Sequence, residues 1–118
     1  MSKRILSVSY NESLLITRRM LLEQEGYQVT SALGFTESVL HCRKDKFNLF
    51  ILGHSIPDRE KEELIRLFRT ANPAPVLSLQ RDGERDVESA EHHVSPHDPV
   101  EFLNVVFRIL GPSDGARR

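Results

Sequence analysis

The densest gathering of metal-ligating and acid–base side chains in this 118-residue sequence is Glu91, His92, His93, His97 and Asp98. Imidazoles and carboxylates so close together are the materials of a zinc site. Strand geometry weakens that reading. Neighbouring residues of a strand point to opposite faces, so His92 and His93 cannot chelate one ion together unless the strand frays. They read as solvated strand-end histidines, able to lend modest pH sensitivity near ~6.5. Cys42 is the single cysteine, which excludes an intrachain disulfide and a multi-cysteine zinc site. Its neighbours mark a half-buried helix residue and not a nucleophile. The run Arg59-Glu60-Lys61-Glu62-Glu63 mixes signs three and four residues apart, as the solvated start of an exposed helix does. Neither a metal nor a cofactor is expected, and no enzyme activity.

These residues hang on an alternation of two periods. Short apolar or β-branched runs are followed by longer stretches with apolar positions three and four apart, the pattern of βαβ units. Ile5, Leu6 and Val8 begin a first strand. Asn11 can cap the helix after it, whose stripe is Leu14, Leu15, Leu21 and Leu22 before Gly26 stops it. Tyr27 to Ala32 reads as strand two. A helix from about Thr36 to Asp45 offers Val39, Leu40 and Cys42 to a core. Phe47 to Leu52 is almost wholly apolar, as at the centre of a parallel sheet. Leu64, Ile65, Leu67 and Phe68 define a third helix that Asn72-Pro73 ends, and Pro75 to Leu79 is strand four. A last strand, about Ala90 to Ser95, leads to Asp98-Pro99, an N-cap followed by proline at the first helical position, and a helix to Leu110. Positions 1–110 read as one domain and 111–118 as a frayed tail. Between Arg81 and Glu91 the rhythm fails: seven charges accompany only Val87 and Ala90 as apolar residues, too few for an amphipathic helix.

Composition bounds the function. Sixteen basic against seventeen acidic residues, a formal charge of −1, provide no global field for nucleic acid or an anionic membrane. The apolar runs are far below the ~20 residues of a membrane-spanning helix. The start lacks a signal-peptide pattern. A cytoplasmic protein is expected.

Three phrases, in this order and spacing, resemble the receiver domain of two-component response regulators: Lys3 to Val8; Asn48 to Leu52 followed by Ile56-Pro57-Asp58; and Ala90 to Pro96 followed by Asp98 to Leu103. The likeness spans roughly Lys3 to Leu110. It implies a flavodoxin-like α/β fold, a five-stranded parallel sheet of order 2-1-3-4-5, with any ligand site at the carboxyl ends of strands one and three. The family's fourth helix would be shortened or missing. Receivers accept a phosphoryl group on an aspartate after strand three, beside magnesium held by an acidic pair after strand one, and sense it with a hydroxyl and a lysine. The resemblance carries the acceptor to Gly53, the acidic pair to Ser9 and Tyr10, the hydroxyl to Gln80 and the lysine to Ser95. Each is a replacement. Glycine has no atom to attack phosphorus, and neutral oxygens are poor magnesium ligands.

The reading that follows is a degenerate, stand-alone receiver, working independently of phosphorylation by binding another signalling protein or a second copy of itself. The alternative is a regulator switched by a small ligand or by phosphorylation elsewhere, for instance at His54 or Ser55, which otherwise read as solvated loop residues. A residual pocket of Ser9, Tyr10, Asn11, His54, Gln80 and Ser95 is expected to be filled by the Tyr10 ring. Either His92 or His93 occupies the place of the family's aromatic switch residue. Loss of the fourth helix is expected to uncover Leu77, Leu79 and Val94. The last helix carries two apolar stripes, Val100-Leu103-Phe107-Leu110 and Phe102-Val105-Val106-Ile109. One suffices to pack on a sheet, and the second, with the uncovered strand residues, is the expected interface.

Overall fold

The computed structural model describes residues 3–81, 83 and 87–112. Five parallel strands, β1 (Arg4–Ser9), β2 (Gln28–Leu33), β3 (Leu49–Leu52), β4 (Val76–Leu79) and β5 (His92–Val94), form one sheet of order β2-β1-β3-β4-β5. The helices are α1 (Glu12–Gln24), α2 (Phe35–Lys44), α3 (Asp58–Ala71) and α4 (Pro99–Leu110). The flavodoxin-like α/β architecture and the expected strand order are thus present. No helix is found between β4 and β5 among the described residues. None of the helices is long and apolar enough to cross a membrane. The tail positions 113–118 lie outside the described residues.

Local chemistry accounts for the boundaries. Asn11 caps α1 by accepting from the Leu14 amide, and Asp98 caps α4 by accepting from Glu101. Gly26 follows α1 at φ 93°, a conformation that side chains with a Cβ rarely adopt. The Asn72 side chain both accepts from the Phe47 amide and donates to its carbonyl, pinning the end of α3 to the start of β3.

The sheet separates two cores. On one face α2 and α3 pack Cys42, Leu64, Ile65 and Phe68 against Leu6, Val8, Phe50, Leu52 and Val76. On the other, α1 and α4 pack Leu22, Phe102, Val105 and Val106 against Ile5, Leu49, Ile51, Leu77, Leu79 and Val94. All four residues of β3 are buried, as its apolar run requires.

Several expectations need correction. Leu77, Leu79 and Val94 are not uncovered: they are buried beneath α4. The connection between β4 and β5 covers the opposite face, where alternation places Val76 and Ser78 and where Val87 and Ala90 are buried. The assignment of the α4 stripes also changes, although Leu103 and Leu110 do pack against the core. Phe102, Val105 and Val106 are buried and Ile109 half-buried, whereas Val100 and Phe107 are 68% and 54% exposed. Packing therefore consumes Phe102, Val105 and Val106, and the exposure that recommended them as an interface belongs to Val100 and Phe107. Leu40 is exposed and not in the core, while Cys42 is fully in it. Lys61 is not part of a solvated face: only 1% of it is accessible.

Candidate functional site

The carboxyl ends of β1 and β3 lie side by side at the centre of the sheet, where strand order reverses. Ser9 ends β1 and is fully buried. Its hydroxyl accepts from the Asn11 amide at 3.0 Å and pairs with the Ser55 hydroxyl at 3.1 Å. Ser55 in turn accepts from the Tyr10 amide at 3.0 Å. The two hydroxyls so bridge the loop after β1 to the loop after β3 and satisfy each other. Tyr10 does not fill the centre of the crevice. Its ring leans on the core beneath α2 and α3, and its hydroxyl donates to Glu60 on α3. Burial first, and then the bond to Glu60 and its charge, hold the phenol well above its ordinary pKa.

The residue that takes the central space is Arg18, which the sequence pattern did not single out. It projects from α1 and is 94% buried, its exposure being 6%. Its Nη1 lies 2.8 Å from where a Cβ on Gly53 would stand, and Nη2 donates to His54 Nδ1 at 3.4 Å. Among the described residues Nη1 is buried and finds no hydrogen-bond partner. Desolvation lowers the guanidinium from its ordinary value to about 10, so the group remains a cation at neutral pH. A guanidinium thus stands where a side chain at position 53 would project. His54 answers to the same environment: burial, then the positive charges of Arg81, Arg18, His97 and Lys61, push its pKa below 6.5.

Lys61 is the second residue that sequence reasoning missed. Masked among exposed charges, it reaches from α3 to the end of β4, where Nζ donates to Ser78 Oγ at 3.0 Å and to the Leu79 carbonyl at 2.9 Å. Gln80 is buried, and its side chain accepts from the Val87 amide at 3.0 Å, tying the end of β4 to the approach to β5. Ser95 is half-buried and accepts from the His97 amide at 3.2 Å. The structure thus gathers Ser9, Tyr10, Gly53 and Ser55, gives Gln80 to the loop, and places Ser95 near Arg18 in a separate cleft between α1 and α4.

These donors do not suit a magnesium ion. The hydroxyls are neutral and already bonded, and a cation fills the space over Gly53, whereas magnesium prefers carboxylates and tolerates little distortion. The histidine cluster disperses in the same way. His93 Nε2 donates to the Val87 carbonyl at 2.9 Å and Glu91 pairs with Arg69 while accepting from the Val76 amide, so both are engaged, although they border one cleft with His92, Glu101 and Arg108. Among the described residues no three His, Cys, Asp or Glu side chains are placed to hold a metal.

Comparisons with known proteins agree on the fold. No family model matches the chain. Regulatory protein VanRB of Enterococcus faecalis is 30% identical over 79 residues, which cover 67% of this chain and 36% of that protein. The chain therefore spans about a third of the length of the curated relative it matches. Among solved structures, a CheY-like response regulator receiver domain protein from Methanospirillum hungatei superposes with a TM-score of 0.79 at 24% identity, covering 92% of this chain and 93% of that one. A two-component response regulator from Clostridium difficile gives 0.79 at 18% identity, with 92% and 95% covered. Chemotaxis protein CheY4 of Vibrio cholerae gives 0.77 at 22% identity, with 93% and 100% covered. The architecture is that of CheY-like receiver domains.

Proposed function

We propose that this chain is a receiver-type signalling module that has given up phosphorylation at the end of β3 and acts by binding another signalling protein or a second copy of itself, without catalysing a reaction. The observation that carries this reading is the Arg18 guanidinium over Gly53. A receiver's switch requires a nucleophilic carboxylate there, whose charge and bonding change on phosphorylation. Glycine supplies no nucleophile, and a protonated guanidinium offers a fixed charge in its place. The mutually satisfied hydroxyls of Ser9 and Ser55 support the same reading, since they close the crevice that an ion would need. The relative is named a regulatory protein and the fold neighbours are named response regulators, which supplies the context. For the binding surface, the outward stripe of α4 is the best candidate. Val100 and Phe107 are large apolar side chains exposed on one helix, as association surfaces often present.

The test has two arms. Incubation with magnesium and acetyl phosphate, followed by intact-mass measurement, is expected to leave the chain without a phosphoryl adduct. A stoichiometric, magnesium-dependent adduct overturns the reading, and its mapping to His54 or Ser55 would establish the non-standard site. In the second arm, light scattering and capture from native lysate compare the unaltered chain with Val100→Asp/Phe107→Asp. Self-association or a specific partner lost in the variant is expected; association unchanged by the variant moves the surface elsewhere.

A further inference from the structure

Arg18 borders a second space. Between α1 and the start of α4 lies a cleft of about 180 Å³, lined chiefly by carbon from Leu14, Leu21, Leu79 and Phe102, with Arg18 and Asp98 among its polar residues. The Asp98 carboxylate is already engaged as the cap of α4. Among the described residues no carboxylate forms an ion pair with Arg18. A desolvated guanidinium with an unpaired nitrogen is an unfavourable arrangement in isolation. A charge-assisted, bidentate bond to a carboxylate is the pairing that relieves it best. Among the described residues its guanidinium makes one hydrogen bond, the 3.4 Å contact with His54. Turning toward the cleft would exchange that weak bond for a strong one. The volume lies below the ~300–1,000 Å³ of sites for drug-sized ligands, so an occupant must be small.

We propose that this cleft binds a small amphipathic monocarboxylate, its carboxylate paired with the Arg18 guanidinium and its hydrocarbon part against Leu14, Leu21, Leu79 and Phe102. The site differs from the crevice at Ser9 and Ser55, and it goes beyond the partner-binding reading without depending on it. Because Arg18 also occupies the space over Gly53, a ligand that draws it into the cleft empties that space, and so connects ligand binding to the central crevice.

The test titrates the ¹⁵N-labelled full chain with sodium hexanoate and, separately, with hexanamide, which has the same carbon chain without the charge. Amide shifts at Leu14, Leu79 and Phe102 and the Arg18 Nε–H resonance are followed. Hexanoate is expected to give saturable shifts at these positions and to bind at least about tenfold more tightly than hexanamide, the worth of one charge-assisted bond. In Arg18→Met that preference is expected to disappear. Equal affinity for the two probes, shifts elsewhere, no saturable shift at all, or an undiminished preference in Arg18→Met would each overturn the proposal. Should Arg18→Met not fold, the two probes on the unaltered chain decide alone. No partner protein is present in this measurement, so its failure and that of the binding-module reading are read separately.

Discussion

The Arg18 Nη1 atom and Gly53 are complementary: the nitrogen stands 2.8 Å from the position a Cβ on residue 53 would take, and the Val8 carbonyl stands 3.2 Å from the same point. Only the missing side chain permits that approach. Gly53→Ala is therefore expected to lower stability by about 1–3 kcal/mol in urea unfolding, the usual range for overpacking. In an Arg18→Ala background the closest of the three obstructions is gone, the Val8 carbonyl and Ser9 Cβ remaining, so the same substitution is expected to cost about 1 kcal/mol less. Additive effects of the two changes would show that the two groups do not press on each other. Gly53→Asp places a carboxylate beside the guanidinium and is expected to be less harmful than Gly53→Ala, because the buried cation gains a partner.

Acid is expected to weaken the fold through His54. Burial and the surrounding positive charges hold its folded pKa below the 6.5 of an exposed histidine. The unfolded chain then binds a proton more readily, so stability is full above pH ~6.5 and falls as pH drops from there through the lower folded pKa. His54→Gln removes the titrating group. Urea midpoints of the unaltered chain are expected to decline between about pH 7.5 and 5.5, and those of His54→Gln to decline less. Glu91, whose burial raises its pKa but whose bonds to the Val76 amide and Arg69 together bring it below 4.5, acts in a more acidic range and does not obscure the comparison. Parallel declines in the two proteins would remove His54 as the cause.

Lys61 is expected to matter more for stability than its place in a charged run suggests. Its ammonium satisfies the Ser78 hydroxyl and the Leu79 carbonyl at the end of β4. Lys61→Met keeps the length of the side chain and removes both donated bonds. The expected loss is about 1–3 kcal/mol, the penalty for leaving buried polar groups unpaired. Ser78→Ala, which removes one neutral partner and leaves the Leu79 bond, is expected to lose about 0.5–1.5 kcal/mol. A Lys61→Met variant as stable as the unaltered chain would show that water replaces the ammonium.

What could be read in advance was what depends on periodicity. The apolar run ending in Leu49–Leu52 identified the central strand, because a strand covered on both sides has no polar alternation to obey. Asn11 and Asp98 marked helix starts, because side-chain capping is local chemistry. The resemblance assigned Ser9, Gly53 and Gln80 to one site; Ser9 and Gly53 stand side by side, while Gln80 is bonded to Val87. What surrounds them could not be read. Arg18 lies beside Arg19 on a helix, and nothing in residue type distinguishes the cation that turns inward from the one that pairs with Glu23 outside. Lys61 was hidden in the same way. On β4 the error was one of parity: alternation groups Leu77 with Leu79, but a shift of one residue decides which face meets a given helix. On α4 both stripes are apolar, so the pattern alone leaves their assignment open.

That assignment can be checked by truncating one phenylalanine from each stripe. Phe102 is 4% exposed and packs in the core with Val105, Val106 and Leu79, whereas Phe107, also on α4, is 54% exposed. Phe102→Ala removes a buried ring and leaves a cavity, with an expected loss of about 3–5 kcal/mol. Phe107→Ala removes a ring that is largely in water already, and its effect is expected to stay within ~0.5 kcal/mol. The readout is equilibrium urea unfolding at a protein concentration low enough to keep the chain monomeric. If Phe107→Ala also costs several kcal/mol under those conditions, its ring is covered by this chain itself and α4 has no free stripe. If its cost appears only as concentration rises, the exposed ring is buried by a second copy, and the outward face of α4 is where two chains meet.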